Sequence, residues 1–461
     1  MTTNLPRILL AAAGSDSGKT TVLCAILSAL KAKGIRPAAF KCGPDYLDPL
    51  FHQAVLKVPS DNLELFLMHT AACQNLLAQK AGKVDVALAE GVMGYYDGLA
   101  TTDCCSSYQV AKQLQFPTVL TVCPQGVSVT LAAVLNGLAQ YKKESQVRGV
   151  IFNRIKPVLY AFYQKIVEEN TPLRVYGYLP DLPDCRFESR HLGLITPAEV
   201  TTLQEKIDRL GQAALQSIDL PGLLALAKQA PAVLPSPHEE QVERAPTAKP
   251  VRIAVAKDAA FCFYYEAALQ TLRDKGAELL PFSPLVDEKL PACDGLYLGG
   301  GYPELHAGAL AENRSMRASV HQALAQGMPC VAECGGFLYL QKTLKTQEGQ
   351  TFPMVGTLPL TGWMTDHLNR FGYVKMQAKQ DTLLAKKGEF VRAHAFHYAQ
   401  CSEEGTAFFA QKPFSARGYA CGHASAHLLA GFPHLHFAGA PALAARFVQA
   451  CAKGQGEEKK A

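Results

Sequence analysis

Along the first half of the chain, short runs that are apolar at nearly every position alternate with longer stretches whose apolar residues recur every three to four positions. The short runs are RILLAAA, PAAFK, VDVALAE, PTVLTVC and VRGVIFN. The longer, amphipathic stretches include TTVLCAILSALKAKG, VTLAAVLNGLAQYKK and VLYAFYQKIVEE. A strand with no polar side is one buried on both faces, and strands joined through helices run parallel. The pattern therefore predicts a parallel sheet covered by helices.

The period is lost near 230–250, in QAPAVLPSPHEEQVERAPTAKP, where proline and charge predict a linker. Alternation resumes with VRIAVA, FCFYYEAALQTLRDKG, AELLPFS and CDGLYLGGGYPE. A helix over about 306–326, then PCVAECGGFLYLQKTL and β-like stretches near 371–378 and 388–398, complete the second pattern. The expected organisation is a domain at 1–230, a linker at 231–250 and a second α/β domain at 251–452, with a frayed tail in KGQGEEKKA.

Composition agrees with this and removes some alternatives. The 461 residues are 48% hydrophobic and 18% charged, enough to build two buried cores. No apolar run approaches the ~18 residues of a membrane span, and the N-terminus has no secretory pattern, so a cytoplasmic protein without a membrane partner is expected. A net charge of +5 spread along the chain gives no footprint for nucleic acid. The 14 cysteines have no zinc-like spacing and read as reduced, buried small hydrophobes.

Candidate chemistry lies at the predicted strand ends. GSDSGKTT, positions 14–21, sits between a strand and a helix, where backbone N–H groups and the helix's positive end face phosphate oxygens. Gly14, Ser17, Gly18, Lys19, Thr20 and Thr21 are the expected nucleotide-binding residues, with Lys19 on the β and γ phosphates of ATP and Thr20 on Mg²⁺. Ala13 stands where G-x-x-x-x-G-K-[ST] has its first glycine, so Gly14 is expected to turn the chain instead. Asn153, ending VRGVIFN, is expected to read the adenine edge or to form a turn.

Two acidic loops follow other strands: FKCGPDYLDPLFH with Asp45 and Asp48, and ALAEGVMGYYDG with Glu90 and Asp97. Carboxylates at that end of a parallel sheet lie where ligands bind and suit a hard cation on a phosphate. Asp45 and Glu90 join Thr20 as expected metal residues. Asp45, Asp48 and Glu90 are the expected catalytic carboxylates, and Lys41 and Asp97 are expected to meet the substrate. His52 faces an anionic substrate or serves the structure.

In the second domain, Glu333-Cys334-Gly335-Gly336 sits between a β run and a helix, which is the geometry of a nucleophile on a tight turn. The N–H of Gly335 and those of Gly300 and Gly301 in LGGGYPE are expected to form an oxyanion hole. His434 and His436, two apart in GFPHLHF, are expected to share one face and supply the base.

Over nearly its whole length the chain resembles the cobyrinate a,c-diamide synthases, glutamine-dependent amidoligases of cobalamin biosynthesis. The resemblance is carried by GSDSGKTT, KCGPDYLDP, AEGVMGYYDG, DAAFCFYYEAALQTLRDKGAELLPFSPL, LGGGYPEL and AECGGFLYL. It implies a dethiobiotin-synthetase-like P-loop domain followed by a class I-type glutaminase domain. It also implies ATP and Mg²⁺ as cofactors and a corrinoid, glutamine and ATP as the small-molecule partners. By the same resemblance Cys334, helped by His434, releases ammonia from glutamine, and the ammonia displaces phosphate from a carboxylate activated by ATP.

The chain departs from the family's pattern in three places. Asp16-Ser17-Gly18 replaces Gly-x-Gly, RAHAFHYA (392–399) replaces R-G-H-E-F-H-Y-S, and Phe432-Pro433 precedes the base. The same motifs suit hydrogenobyrinate or nickel-sirohydrochlorin as substrate. A P-loop regulatory ATPase with a non-catalytic second domain is the reading from another class.

Overall fold

Runs of Ala, Val, Ile and Leu with no polar side are stable only between two covering layers, and the chain folds so that each has them. The computed structural model describes residues 4–185, 197–234 and 250–457 and divides into two compact units, Met1–His238 and Glu239–Ala461. Most of the expected linker, 235–249, lies outside the described residues, as does the end of the tail, 458–461.

The first unit runs β1 (Arg7–Ala11), α1 (Lys19–Ala32), β2 (Pro37–Cys42), α2 (Leu47–Ala54), β3 (Ser60–Leu63), α3 (His69–Lys80), β4 (Val86–Glu90) and α4 (Ser107–Leu114). It continues with β5 (Thr118–Val122), α5 (Thr130–Gln140), β6 (Val147–Ile155), α6 (Tyr160–Asn170), β7 (Arg174–Pro180), α7 (Pro197–Ser217) and α8 (Leu220–Ala227). Its strands form one parallel sheet in the order β3-β2-β4-β1-β5-β6-β7. From β1 the chain moves to one side through β2, β3 and β4 and then to the other through β5, β6 and β7. That reversal puts the loops after β1, β2 and β4 side by side at the strands' C-terminal ends.

The second unit begins β8 (Val251–Ala256), α9 (Glu266–Asp274), β9 (Ala277–Phe282), β10 (Gly295–Leu298), α10 (Ala307–Glu312), α11 (Arg314–Ala325), β11 (Cys330–Glu333) and α12 (Gly335–Leu340). Short strands follow: β12 (Gln341–Lys345), β13 (Thr351–Pro353), β14 (Leu358–Met364), β15 (Arg370–Ala378), β16 (Phe390–His397), β17 (Ala399–Cys401), β18 (Phe408–Gln411) and β19 (Gly418–Cys421). β20 (His423–Ala424), β21 (Leu428–Gly431), β22 (His434–Leu435) and α13 (Pro441–Glu457) close the unit. A mainly parallel sheet, β20-β21-β11-β10-β8-β9, carries the apolar core. Two further sheets, β13-β12-β14-β17 and β19-β18-β15-β16-β22, hold the remaining strands.

Three expectations change. The helix over 306–326 is two helices, because the side chain of Asn313 accepts from the N–H of Met316 at 3.2 Å and starts a new one. Part of the expected tail is helical, since α13 runs to Glu457. Polar SDNL forms β3 although nothing in its pattern predicts a strand. Among the described residues no helix is long and apolar enough to cross a membrane.

Candidate functional site

The phosphate loop joins β1 to α1, and its bend is made differently from the expected one. Ala13 lies exposed past the end of the strand, and nothing stands within 4 Å of where a side chain on Gly14 would be. The residues with positive φ are Asp16 (61°) and Gly18 (77°). Aspartate tolerates that region and glycine adopts it without strain, so the turn has moved along the chain from Gly14. Gly18 is also required by space: a Cβ there would lie 2.1 Å from Asn153 Nδ2.

Asn153 is buried, and its amide nitrogen donates to Ser17 O at 3.0 Å. That bond ties the end of β6 to the phosphate loop's backbone. The Ser17 hydroxyl likewise donates to Gly14 O at 3.1 Å. Lys19 Nζ donates to Gly14 O (2.9 Å) and to Met93 O (2.8 Å), linking the loop after β1 to the loop after β4. Burial, then the charge of Lys41, lowers the pKa of Lys19. Thr21 is half-buried on α1.

Beside the loop the ends of α1, β2 and β4 meet. Thr20 Oγ1 donates to Glu90 Oε1 at 2.6 Å, and Lys41 Nζ reaches the same oxygen at 2.9 Å and Asp48 Oδ2 at 2.5 Å. Glu90 and Lys41 are both buried. Burial pushes the pKa of Glu90 up to about 6 even with Lys41 in contact. Burial would lower the pKa of Lys41, but Glu90, Asp48 and Asp45 outweigh it and hold the ammonium charged. Burial and then Asp48 raise the pKa of Asp45, whereas Lys41 overcomes burial at Asp48 and lowers it.

Asn62 on β3 orders the acidic loop by donating to Gly43 O (2.9 Å) and Asp45 O (2.7 Å). Asp97 is exposed and accepts from Gly94 N–H at 2.9 Å, so one of its oxygens holds the turn after β4. His52 is fully buried with Nδ1 against Ser60 Oγ at 3.1 Å, and burial pulls its pKa down to about 4.

In the second unit Cys334 caps α12 with φ 47° and ψ −101°, a conformation that costs a non-glycine residue free energy and holds its side chain on a sharp turn. The Cys334 side chain is hydrogen-bonded to His434. Burial alone would lower the His434 pKa. The Cys334 charge and hydrogen bond, followed by Glu333, raise it to about 10. Glu333 Oε2 lies 3.8 Å from His434 Nδ1 and accepts from Tyr297 OH at 3.2 Å, while Oε1 accepts from Leu435 N–H at 3.0 Å. Sequence reasoning missed Glu333 as a partner of His434, although it immediately precedes the thiol.

His434 and His436 have different surroundings. β22 contains only His434 and Leu435; His436 lies beyond it, stacked on Tyr265 at 4.4 Å, with its pKa lowered to about 3 by burial. The Gly299–Gly301 loop packs against the nucleophile's turn. Gly336 N–H donates to Gly299 O at 2.9 Å, and a Cβ on Gly335 would sit 3.0 Å from Gly301 N. A Cβ on Gly300 would lie 2.6 Å from the His434 ring, so only glycine fits there. Ala395, which replaces the family's glutamate, is buried opposite Gly372 on the inner face of β16.

Comparison with known proteins adds relatives. The CobB/CobQ-like glutamine amidotransferase domain family matches residues 252–442, and an AAA domain family matches 6–189. The cobyrinate a,c-diamide synthase of Caldanaerobacter subterraneus subsp. tengcongensis is 38% identical over 433 residues, 93% of this chain and 94% of that one. The protein of the same name in Listeria monocytogenes serotype 4b is 41% identical, covering 85% of this chain and 87% of its own. That of Thermoplasma volcanium is 36% identical over 97% of each.

Proposed function

The chain belongs to the cobyrinate a,c-diamide synthase family, and on that premise we propose that it amidates the a and c carboxylates of cobyrinate, using ATP to activate each and glutamine as the nitrogen source. It is a glutamine-dependent C–N ligase. The observation that carries the mechanism is the hydrogen-bonded Cys334–His434 pair, in a chain that also carries a phosphate loop bordered by carboxylates.

At the glutaminase site the Cys334 thiolate attacks the side-chain amide carbon of glutamine. The N–H groups of the Gly300–Gly301 turn and of Gly335 face the oxygen that becomes negative. The imidazolium of His434 gives its proton to the departing nitrogen, so ammonia leaves and a thioester remains. Neutral His434 then takes a proton from water as it attacks, and glutamate and the thiol are regenerated. Glu333 and Tyr297 hold the ring in place. His434 is the base, and His436 is a packing residue.

At the ligase site a carboxylate of the macrocycle takes the γ-phosphoryl group of ATP, with ADP as leaving group. Ammonia attacks the acyl phosphate carbon, phosphate departs, and the amide forms. The start of α1 and Lys19 hold the phosphates, and Lys41 keeps positive charge beside the acceptor. The donors suit Mg²⁺: they are hard oxygens, and Glu90 Oε2 is buried without a hydrogen-bond partner among the described residues. Thr20, Asp45 and Glu90 would hold the ion, which supplies charge neutralisation on the transferring group.

The test is incubation with ATP, Mg²⁺, glutamine and, separately, cobyrinate, hydrogenobyrinate and nickel-sirohydrochlorin, read by mass. Two carboxyl-to-amide conversions on cobyrinate are expected. Cys334→Ala should lose the reaction with glutamine and keep it with ammonium salts. Glutamine-dependent amidation by that variant would refute the assignment of Cys334.

A further inference from the structure

In the first unit the sheet order sets apart the two sides of the phosphate loop. β1 lies between β4 and β5, so the cluster of Glu90, Lys41 and Asp48 is on one side of the loop and the end of β6 is on the other. Phosphoryl transfer to a carboxylate needs the γ-phosphate on the side of Lys41 and Glu90. The ribose and base, at the far end of the triphosphate, then run towards β5 and β6.

β6 ends there irregularly. From Asn153 to Ile155 it advances two residues while β7 advances one, from Leu179 to Pro180, so Arg154 is the extra residue of a β-bulge. Its φ of 58° is left-handed and costs a non-glycine residue free energy. Bulges re-aim side chains beside functional sites. Here the half-buried Arg154 guanidinium meets the phosphate loop, with Nη1 3.4 Å from Asp16 O, next to the 3.0 Å bond from Asn153 to Ser17 O. Both side chains bind carbonyl oxygens, whereas phosphates are taken by a loop's N–H groups, so Arg154 stands outside the phosphate cradle. Among the described residues no Asp or Glu forms an ion pair with Arg154, and one long hydrogen bond does not account for the strain at that position. A guanidinium donates through its edge, so the contact with Asp16 O leaves the flat face for an aromatic ring.

We propose that Arg154 stacks on the adenine of ATP and gives this site its preference for a nucleotide over a bare triphosphate. The proposal rests on the use of ATP argued above and adds a base-binding residue to that site. The bulge and the left-handed backbone are the local cost of aiming the side chain there.

The experiment titrates ATP and inorganic tripolyphosphate, each with Mg²⁺, into wild type, Arg154→Gly and Arg154→Asn by calorimetry, and measures thermal midpoints. Glycine and asparagine adopt a positive φ more easily than arginine, so both variants should unfold at the same or a higher temperature than wild type. Their Kd for ATP should rise about tenfold while that for tripolyphosphate stays unchanged. Unchanged ATP affinity overturns the proposal. Equal weakening towards both ligands also overturns it, because that is what a residue that only shapes the loop or pairs with phosphate would give. In either case a wild type that binds ATP and amidates the macrocycle leaves the proposed function standing. A wild type that binds neither ATP nor tripolyphosphate and amidates no macrocycle overturns the proposed function as well.

Discussion

Burial strips water from His434, and only charge close by keeps a proton on its ring; the thiolate of Cys334 and the carboxylate of Glu333 supply that charge. Glu333→Gln keeps the shape and the acceptor for Leu435 N–H while removing the charge. Its kcat/KM for glutamine hydrolysis should fall by about 10²-fold. The alkaline limb, which wild type sets by proton loss from His434 at about 10, should move to lower pH, since a carboxylate that raises that pKa has been removed. A limb that stays in place would deny Glu333 its positioning role. In the other unit Lys41 stands between Glu90 and Asp48. Lys41→Met leaves buried Glu90 facing half-buried Asp48 with no cation between them and should cost about 3 kcal/mol in denaturant unfolding. A loss under 1 kcal/mol, about the range of an exposed pair, would mean that the charges are well hydrated.

β1 is anchored by a residue its apolar pattern does not announce. Arg7 is 2% exposed, lies over Phe116, and donates to Leu114 O (3.1 Å), Leu5 O (3.1 Å) and Pro231 O (2.8 Å), tying the strand to the end of α4 and to the segment that follows α8. Arg7→Leu orphans those carbonyls and should lower stability by about 3 kcal/mol in denaturant titration. The parallel strands β1, β2, β4, β5 and β6 were legible because burial on both faces leaves an uninterrupted apolar run. β3 was not, since its polar side chains are satisfied by partners distant in sequence: Asp61 by Lys80, and Asn62 by the carbonyls of Gly43 and Asp45. The register of β15 on β16 was also hidden, because alternation alone does not say which strands pair. The strand-to-helix turns marked the phosphate loop and Cys334, whose glycines and reactive residues are contiguous. Glu333, Tyr297 and the divergence of His434 from His436 depend on tertiary packing and left no local signal.

Across the whole chain several histidines are folded in neutral form. The pKa values of His52 and His397 are lowered to about 4, and those of His394 and His436 to about 3, burial being the largest cause for each. Unfolded, each would take a proton below its ordinary value of 6.5. The unfolded state therefore binds more protons as pH falls, so stability is fully present above 6.5 and is lost from there down towards about 4 and 3. The thermal midpoint should drop over that interval, and His436→Phe should flatten the drop; a midpoint independent of pH there would contradict the burial. The joining of carboxyl activation to glutamine hydrolysis is tested most directly with cobyrinate whose carboxylates carry heavy oxygen, incubated with ATP, Mg²⁺ and glutamine bearing heavy amide nitrogen. The account predicts that each amide formed contains the heavy nitrogen and that one heavy oxygen per amide appears in inorganic phosphate. Amides formed without heavy oxygen in the phosphate would contradict it.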